Sequence, residues 1–333
     1  MSRVRWFRLT AALVILAALI ATFVATTLGP PPPLVNPPGT FAFAALGDAP
    51  YYPWEDWQYP LVLRDMNDHD LAFSIHVGDI FWRPCSDDRY ARSRRWFDGL
   101  KHPLVYVPGD NEWADCWTVQ EGRFDPLDRL NQLRRTLYPH PGVSLGRAMP
   151  LQTQSSQAEF SEFVEHARWS YGGIVFATIH VVGSGNFTRP FSTRSDVDDR
   201  ETERRLRASL AWLHETFQDA RTNQAAAVVV AFHADPGFDW PSAARVPFQP
   251  LLDAFEDEAA EFVKPVLFIH GDSHKFTVDQ PLISRHSGKA LTNVTRLEVP
   301  GSPDVGWVRV LVSADATPSF MFSERLVPRW KYW

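Results

Sequence analysis

Pro103-Leu-Val-Tyr-Val-Pro-Gly-Asp-Asn-Glu-Trp-Ala-Asp-Cys116 is a short apolar run that stops at Gly109-Asp110 and passes into a polar, aromatic loop. Three other stretches end in the same way. Phe41-Ala-Phe-Ala-Ala-Leu runs into Gly47-Asp48, Phe73-Ser-Ile-His-Val into Gly78-Asp79, and Pro265-Val-Leu-Phe-Ile-His into Gly271-Asp272. A short apolar run closed by Gly-Asp reads as a buried strand that delivers a carboxylate to its C-terminal end. One such aspartate is commonly a turn or capping residue. Four of them predict carboxylates gathered on one rim of a sheet, and like charges gather only where cations hold them. The first expectation is therefore a metal site.

The spacing supports parallel strands. Asp48 to Asp79 is 31 residues (79 − 48), and Asp79 to Asp110 is again 31 (110 − 79), the length of a βαβ unit. Trp54 to Asn67 and Tyr90 to Leu100 can supply the crossover helices. The leucines of 127, 130, 133 and 137 predict a further helix within 122–138. Signals weaken over 139–167, where one short helix is expected near Phe160 to His166. Trp169 to Val182 reads as two strands joined at Gly172-Gly173. Thr202 to Ala220 has the clearest apolar face, formed by Leu206, Leu210, Leu213 and Phe217. Ala225 to Phe232 reads as a buried strand ending at His233, Leu251 to Phe262 as an acidic helix, and Val266 to Ile269 as a strand. Leu291 to Val299, Trp307 to Val312 and Ser319 to Val327 suit antiparallel strands.

The 333 residues carry 45% hydrophobic content, ample for a globular core, and a net charge of −6 with pI near 6.0 leaves no basic footprint for nucleic acid. The first forty residues stand apart. Arg3, Arg5 and Arg8 precede Leu9 to Leu28, a run of 20 residues (28 − 9 + 1) without a charge. As a helix it would span about 30 Å, enough to cross a bilayer. Positive charge before the span predicts a cytoplasmic N-terminus and an exported remainder. Residues 1–28 thus read as a signal anchor, with a cleaved signal peptide as the alternative. The prolines within 29–40 read as a stiff linker, and 41–333 as one α/β domain outside the cytoplasm, periplasmic or extracellular.

Both cysteines fit export. Cys85 follows Asp79 by six residues and Cys116 follows Asp110 by six. If those aspartates end neighbouring parallel strands, equal offsets put both sulfurs at one height, which predicts a Cys85–Cys116 disulfide. His76 and His180 lie inside strands and read as core residues. Trp54, Trp57, Trp82, Trp113 and Trp117 fall on loops expected near the rim, where packing is the commoner role. Asn186-Phe-Thr188 and Asn293-Val-Thr295 match glycosylation acceptors, a weak signal.

Together Gly47-Asp48-Ala49-Pro50, Gly78-Asp79-Ile80-Phe81, Gly109-Asp110-Asn111-Glu112, the lone His233 and Gly271-Asp272-Ser273-His274 resemble the ordered motifs of the calcineurin-like metallophosphoesterase superfamily. Purple acid phosphatase-like proteins are one branch of it. The resemblance covers about 41–280. It implies a two-sheet α/β/β/α sandwich with flanking helices, the C-terminal strands suiting the second sheet, and a phosphoester hydrolase with two divalent ions and a small phosphorylated substrate. Asp79 would bridge the ions. Asp48 and His274 would complete one site, and Asp110, His233 and Asp272 the other.

The departures from that pattern are informative. Pro50 stands where the superfamily has a ligand histidine. Trp82 stands where purple acid phosphatases place a ligand tyrosine, so a ferric site requires Tyr51 or Tyr52 to reach in. Asp110 and Asp272 replace an asparagine and a histidine, which makes the pocket richer in carboxylate and favours Mn²⁺ or Mg²⁺, with iron or zinc as alternatives. Asn111 replaces a histidine credited with protonating the leaving group. An amide donates a hydrogen bond to phosphate but is no acid. Asp79 and Asn111 are thus the expected catalytic residues. The rival expectations are a catalytically impaired binding protein on the same fold and a metallohydrolase acting on a substrate other than phosphate.

Overall fold

Alternation along β1 (Thr40–Leu46) sends Phe43 and Ala45 into one core and Ala42, Ala44 and Leu46 into another, with all five buried. A strand covered on both faces belongs to the inside of a layered α/β structure. The computed structural model describes residues 33–241, 243–313 and 317–327. In it β1 pairs in parallel with β2 (Ser74–His76), which pairs in parallel with β3 (Pro103–Tyr106). On its other side β1 pairs antiparallel with β12 (Gly306–Ser313), and β12 with β13 (Phe320–Leu326). The short β4 (Leu145–Gly146) closes the far edge, giving the order β13-β12-β1-β2-β3-β4.

The second sheet is built around parallel strands β7 (Ile174–Thr178), β8 (Ala227–Ala231), β9 (Val266–His270) and β11 (Val294–Glu298). Its antiparallel edges are β10 (Thr277–Asp279) on one side and β6 (Ala167–Tyr171) with β5 (Gln152–Thr153) on the other. Phe43, Ile75, Phe176, Val229, Ile269 and Val310 fill the space between the sheets. Helices Glu55–Asn67, Asp87–Asp98 and Pro126–Leu137 cover the first sheet through Val62, Phe97 and Leu133. Helices Asp196–Thr222 and Gln249–Phe262 cover the second through Trp212, Phe217 and Phe255. The layers are thus α/β/β/α.

Three expectations need correction. Phe160–His166 is not a helix; the turns there are 3₁₀, at Gln154–Ser156 and Ala158–Phe160. Gln154 and His166 instead bond each other side chain to side chain at 2.6 Å, a closure that helical periodicity does not encode. The strand within Leu291–Val299 is not antiparallel: β11 lies parallel to β9 in the second sheet. The last two strands join β1 in the first sheet, so the C-terminal third is divided between the sheets. Hydropathy along a strand does not say which neighbour it pairs with.

Asn36, just before β1, bonds the Asp70 carbonyl at 2.8 Å and also meets Arg309, so the end of the proline-rich segment is tied to the domain. Among the described residues no helix is long and apolar enough to cross a membrane. The expected anchor over 9–28 lies outside the described residues.

Candidate metal centre

Because β1, β2 and β3 run parallel, as do β7, β8 and β9, all six end on one side, where the sheets meet. Ligand sites of α/β sheets form at such C-terminal ends. Asp48 and Asp79 sit just past β1 and β2 with φ of 53° and 56°, a left-handed bend that turns each side chain inward. Asp272 follows β9 with φ of 76°. The backbone N–H of Asp272 donates to Asp48 Oδ1 at 3.0 Å, which joins the two sheets at the rim.

His233, past β8, is fully buried and central. Its Nε2 lies 2.9 Å from Asp110 Oδ1, 3.4 Å from Asp79 Oδ1 and 4.0 Å from Asp272 Oδ1. Nδ1 is 2.7 Å from the Val77 carbonyl, which accepts only from N–H, so Nε2 is the nitrogen free to ligate. His274 follows the same rule: Nδ1 donates to the Ser302 carbonyl at 2.7 Å, and Nε2 lies 3.7 Å from Asp48 Oδ1.

Two donor sets result. Atoms of Asp48, Asp79 and His233 lie within 4.8 Å of one another, and so do atoms of Asp110, His233 and Asp272. The structure thus brings all six expected ligand residues to one rim. His274 belongs to neither of these sets and flanks Asp48. Close packing limits what the rim tolerates. A methyl at Gly109 would come within 2.0 Å of Asp79 Oδ1, so only glycine lets the two loops approach.

The electrostatics call for a cation. Burial pushes the Asp48 carboxyl up to about 8 against the pull of His233, and Asp272 and Asp110 add to the rise. Asp79 rises well above the carboxylate range through burial, opposed by His233 and reinforced by Asp110 and Glu112. Burial, then Asp110, raises Asp272 to about 6. For His233 burial opposes charge, but Asp79 and Asp110 outweigh it and raise its pKa well above the ordinary value. In return the His233 contact outweighs burial at Asp110 and holds it low. Asp48 Oδ2 is buried with no hydrogen-bond partner among the described residues. A buried carboxylate oxygen left unpaired costs free energy unless a metal takes it, so the donors fit divalent ions.

The sign of the pH effect follows. Asp48, Asp79 and Asp272 bind protons more tightly folded than unfolded, and so does His233. Their stabilisation is present below the unfolded pKa and is lost as pH rises through the folded one. The opposite contribution of Asp110 falls below its ordinary value of 3.8. Below the ordinary histidine value, the buried His76, His102, His166, His180 and His270, held neutral by burial, contribute in the opposite sense. Metal-free protein should therefore melt at progressively lower temperature from about pH 7 to about pH 8. Mn²⁺ should flatten that slope; a slope unchanged by metal would refute the assignment.

Other side chains shape the rim. Tyr51 reaches in where Trp82 does not: its hydroxyl donates to Asp79 Oδ2. The Asn111 N–H donates to Asp79 Oδ1 at 3.1 Å, and the Asn111 side chain is half-exposed. Tyr52 stacks on Trp54 at 4.5 Å and meets Trp82 edge-on, forming an aromatic lip. Trp113 is not at the rim; it is fully buried against His180 and Phe187. His76 is a neutral core residue, bonded by the Gly78 N–H and to Tyr59. Cys85 and Cys116 form a disulfide.

The sequence reading missed a turn. After β7 the chain continues through Ile179 to Val182 and enters Gly183-Ser184-Gly185-Asn186, with Ser184 and Asn186 left-handed at φ of 51° and 54°. Ser184 Oγ lies 3.1 Å from Asp110 Oδ2 and 2.8 Å from each Asp115 oxygen. An apolar run ending at glycine was the available signal; without an aspartate behind it, the run passed as an ordinary strand end.

The fold is a two-sheet sandwich of the metallophosphoesterase-like kind, and carboxylates and imidazoles stand on its C-terminal rim. Among solved structures the chain is similar to PhoD, with a TM-score of 0.52 and 16% identity over 89% of this chain and 70% of that one. A dimetal phosphatase from Danio rerio follows at TM-score 0.48 and 12% identity, covering 86% of this chain and 96% of that one. TT1561 of Thermus thermophilus scores 0.43 at 12% identity, covering 86% and 99%. No protein-family model and no curated protein matches the sequence.

Proposed function

We propose that the chain is a metal-dependent phosphoester hydrolase, exported and held at the membrane by residues 9–28, acting on a small phosphorylated substrate. The observation that carries this reading is the pair of overlapping donor sets around His233, with the Asp48 oxygen buried and unpartnered beside them. Asp48 and Asp79, flanked by His274, would hold one ion, and Asp110, His233 and Asp272 the other, since the single free His233 nitrogen can serve only one ion. When bound, such ions lower the pKa of water and neutralise charge on phosphoryl oxygens.

The chain's own residues do the rest. Tyr51 and the Asn111 N–H orient Asp79 from either side. The Val77 and Ser302 carbonyls fix both imidazole tautomers. The Asn111 amide would donate to a phosphate oxygen but cannot return a proton to the leaving group. Substrates with good leaving groups should therefore turn over best. The carboxylate-rich donor set favours Mn²⁺ or Mg²⁺, and the Tyr51 phenol adds a donor suited to iron.

Purified full-length protein loaded with Mn²⁺ should hold close to two ions and hydrolyse p-nitrophenyl phosphate or its bis-ester. No bound metal and no turnover of either ester would overturn the reading. Two bound ions without turnover would favour the impaired binding protein, which the lack of a proton-donating acid at Asn111 supports. Fractionation tests the membrane half: the protein should stay with membranes through alkaline carbonate unless residues 1–28 are removed.

A further inference from the structure

The centre is rich in acid and poor in base. Asp48, Asp79, Asp110 and Asp272 line it, and Asp115 and Asp235 stand behind them, Asp235 donating its N–H to Asp272 Oδ2 at 3.0 Å. An anionic substrate needs a fixed cation at the mouth. Three basic side chains lie near the rim. Arg83 is stacked 3.8 Å over the Trp82 ring. Lys275 acts on Asp235, and its backbone N–H donates to Glu298 Oε1 at 3.0 Å. The third is Arg189, on the segment that leaves the left-handed turn.

That turn is fixed at unusual cost. Ser184, Gly185, Asn186 and Phe187 all have positive φ, and left-handed residues other than glycine cost about 1–2 kcal/mol each. The fully buried Arg205 holds the turn by donating to the Asn186 side chain and carbonyl and to the His180 carbonyl. Arg194 donates to the Phe187 carbonyl at 2.7 Å. A methyl at Gly183 would lie 2.5 Å from Asp110 Oδ1 and 2.7 Å from Asp272 Oδ1, so the turn presses directly on the donor set. Strain retained by so many contacts marks a segment whose position matters.

What the turn delivers is Arg189. Its Nη1 lies 3.5 Å from Ser184 Oγ, which is itself 3.1 Å from Asp110 Oδ2. The guanidinium therefore stands two hydrogen-bond lengths from a donor atom of the centre. Arg189 is exposed, and Ser184 is its sole hydrogen-bond partner among the described residues. A guanidinium has five N–H donors in a planar fork suited to phosphate oxygens.

We propose that Arg189 is the phosphate-binding residue of this centre, its guanidinium taking the non-bridging oxygens of a phosphoryl group seated over Asp110 and Asp272. This rests on the hydrolase reading above. Arg189 supplies charge where Asn111 cannot supply a proton, and it serves a dianionic monoester better than a singly charged diester. Ser184 and Asp115 keep the turn, and with it the guanidinium, in place.

Binding of inorganic phosphate to the Mn²⁺-loaded full chain, measured by titration calorimetry, tests this without requiring turnover. Arg189→Ala should weaken phosphate binding at least about tenfold, with metal content and melting temperature unchanged, and Arg189→Lys should restore part of it. The alanine variant should also raise KM for the monoester more than for the diester. Phosphate affinity unchanged in Arg189→Ala, or lost only together with the metal, would overturn the proposal. If the wild-type chain takes no metal, the hydrolase reading falls, and the same comparison on unloaded protein still decides Arg189. Wild-type protein that holds two ions yet binds no phosphate would overturn both.

Discussion

Asp79→Asn is expected to abolish turnover while making the metal-free protein more stable. Asp79 lies 3.4 Å from His233, accepts from Tyr51 and the Asn111 N–H, and is pushed well above the carboxylate range by burial. Asparagine keeps an acceptor oxygen for the Asn111 N–H and removes the charge. At pH 8, where like charges crowd the unfilled rim, that should raise stability by about 1–2 kcal/mol, the range typical when strain at a functional site is relieved. In a chain of this size the melting temperature would rise by about 1–3 °C. The stabilisation that metal gives to a fold it binds, which grows with the ratio of free metal to Kd, should shrink or vanish. Loss of one preorganised electrostatic contact typically costs on the order of 10²–10³ in kcat. Opposite shifts in stability and activity are the signature. A variant that melts lower yet keeps its metal-dependent stabilisation would make Asp79 a structural residue instead.

Replacing Cys85 and Cys116 together by serine should be the most destabilising change outside the core. The bond closes a sequence separation of 31 residues, and loop entropy predicts a loss of about 3–4 kcal/mol. The damage should not stop at stability. The two sulfurs lie 3.3 and 3.6 Å from the Asn111 carbonyl oxygen. Having no hydrogen to donate, they act there as a packed wedge between the loops that carry Asp79 and Asp110. Loosening such support typically costs about 10–100-fold in metal affinity. Urea denaturation and a Mn²⁺ titration of the double variant would measure both effects. Wild-type affinity in a destabilised protein would confine the disulfide to a purely structural role.

These residues also show what could be read from the sequence. Gly-Asp after an apolar run is local, and the strand, its end and its carboxylate lie within about eight positions. Equal 31-residue spacings made three of the ends neighbours, and the equal offsets of Cys85 and Cys116 followed from that. Sheet membership is different. Nothing within Val294–Glu298 says that its partner is β9 rather than β12, because pairing is settled by what covers each face. Tyr51 was legible only as one of two candidate tyrosines, and Ser184 and Arg189 not at all, for a related reason. None sits in a motif, and each reaches the rim only because a turn of particular handedness aims it there. Consecutive left-handed residues are unfavourable locally and exist only through tertiary contacts such as those of Arg205.

The place of β1 has a consequence in time. The strand that delivers Asp48 is hydrogen-bonded on one side to β2, close by in sequence, and on the other to β12, with Thr40 opposite Ser313. A ribosome would have to make the 273 residues that separate Thr40 from Ser313 (313 − 40) before that second edge could close, and pairings so distant in sequence form slowly. The earliest of the four rim aspartates in sequence order is thus among the last to be set in place. A nascent chain would carry its acidic residues apart, without the crowded rim, so an ion that binds there would be taken up only as the last strand pairing closes.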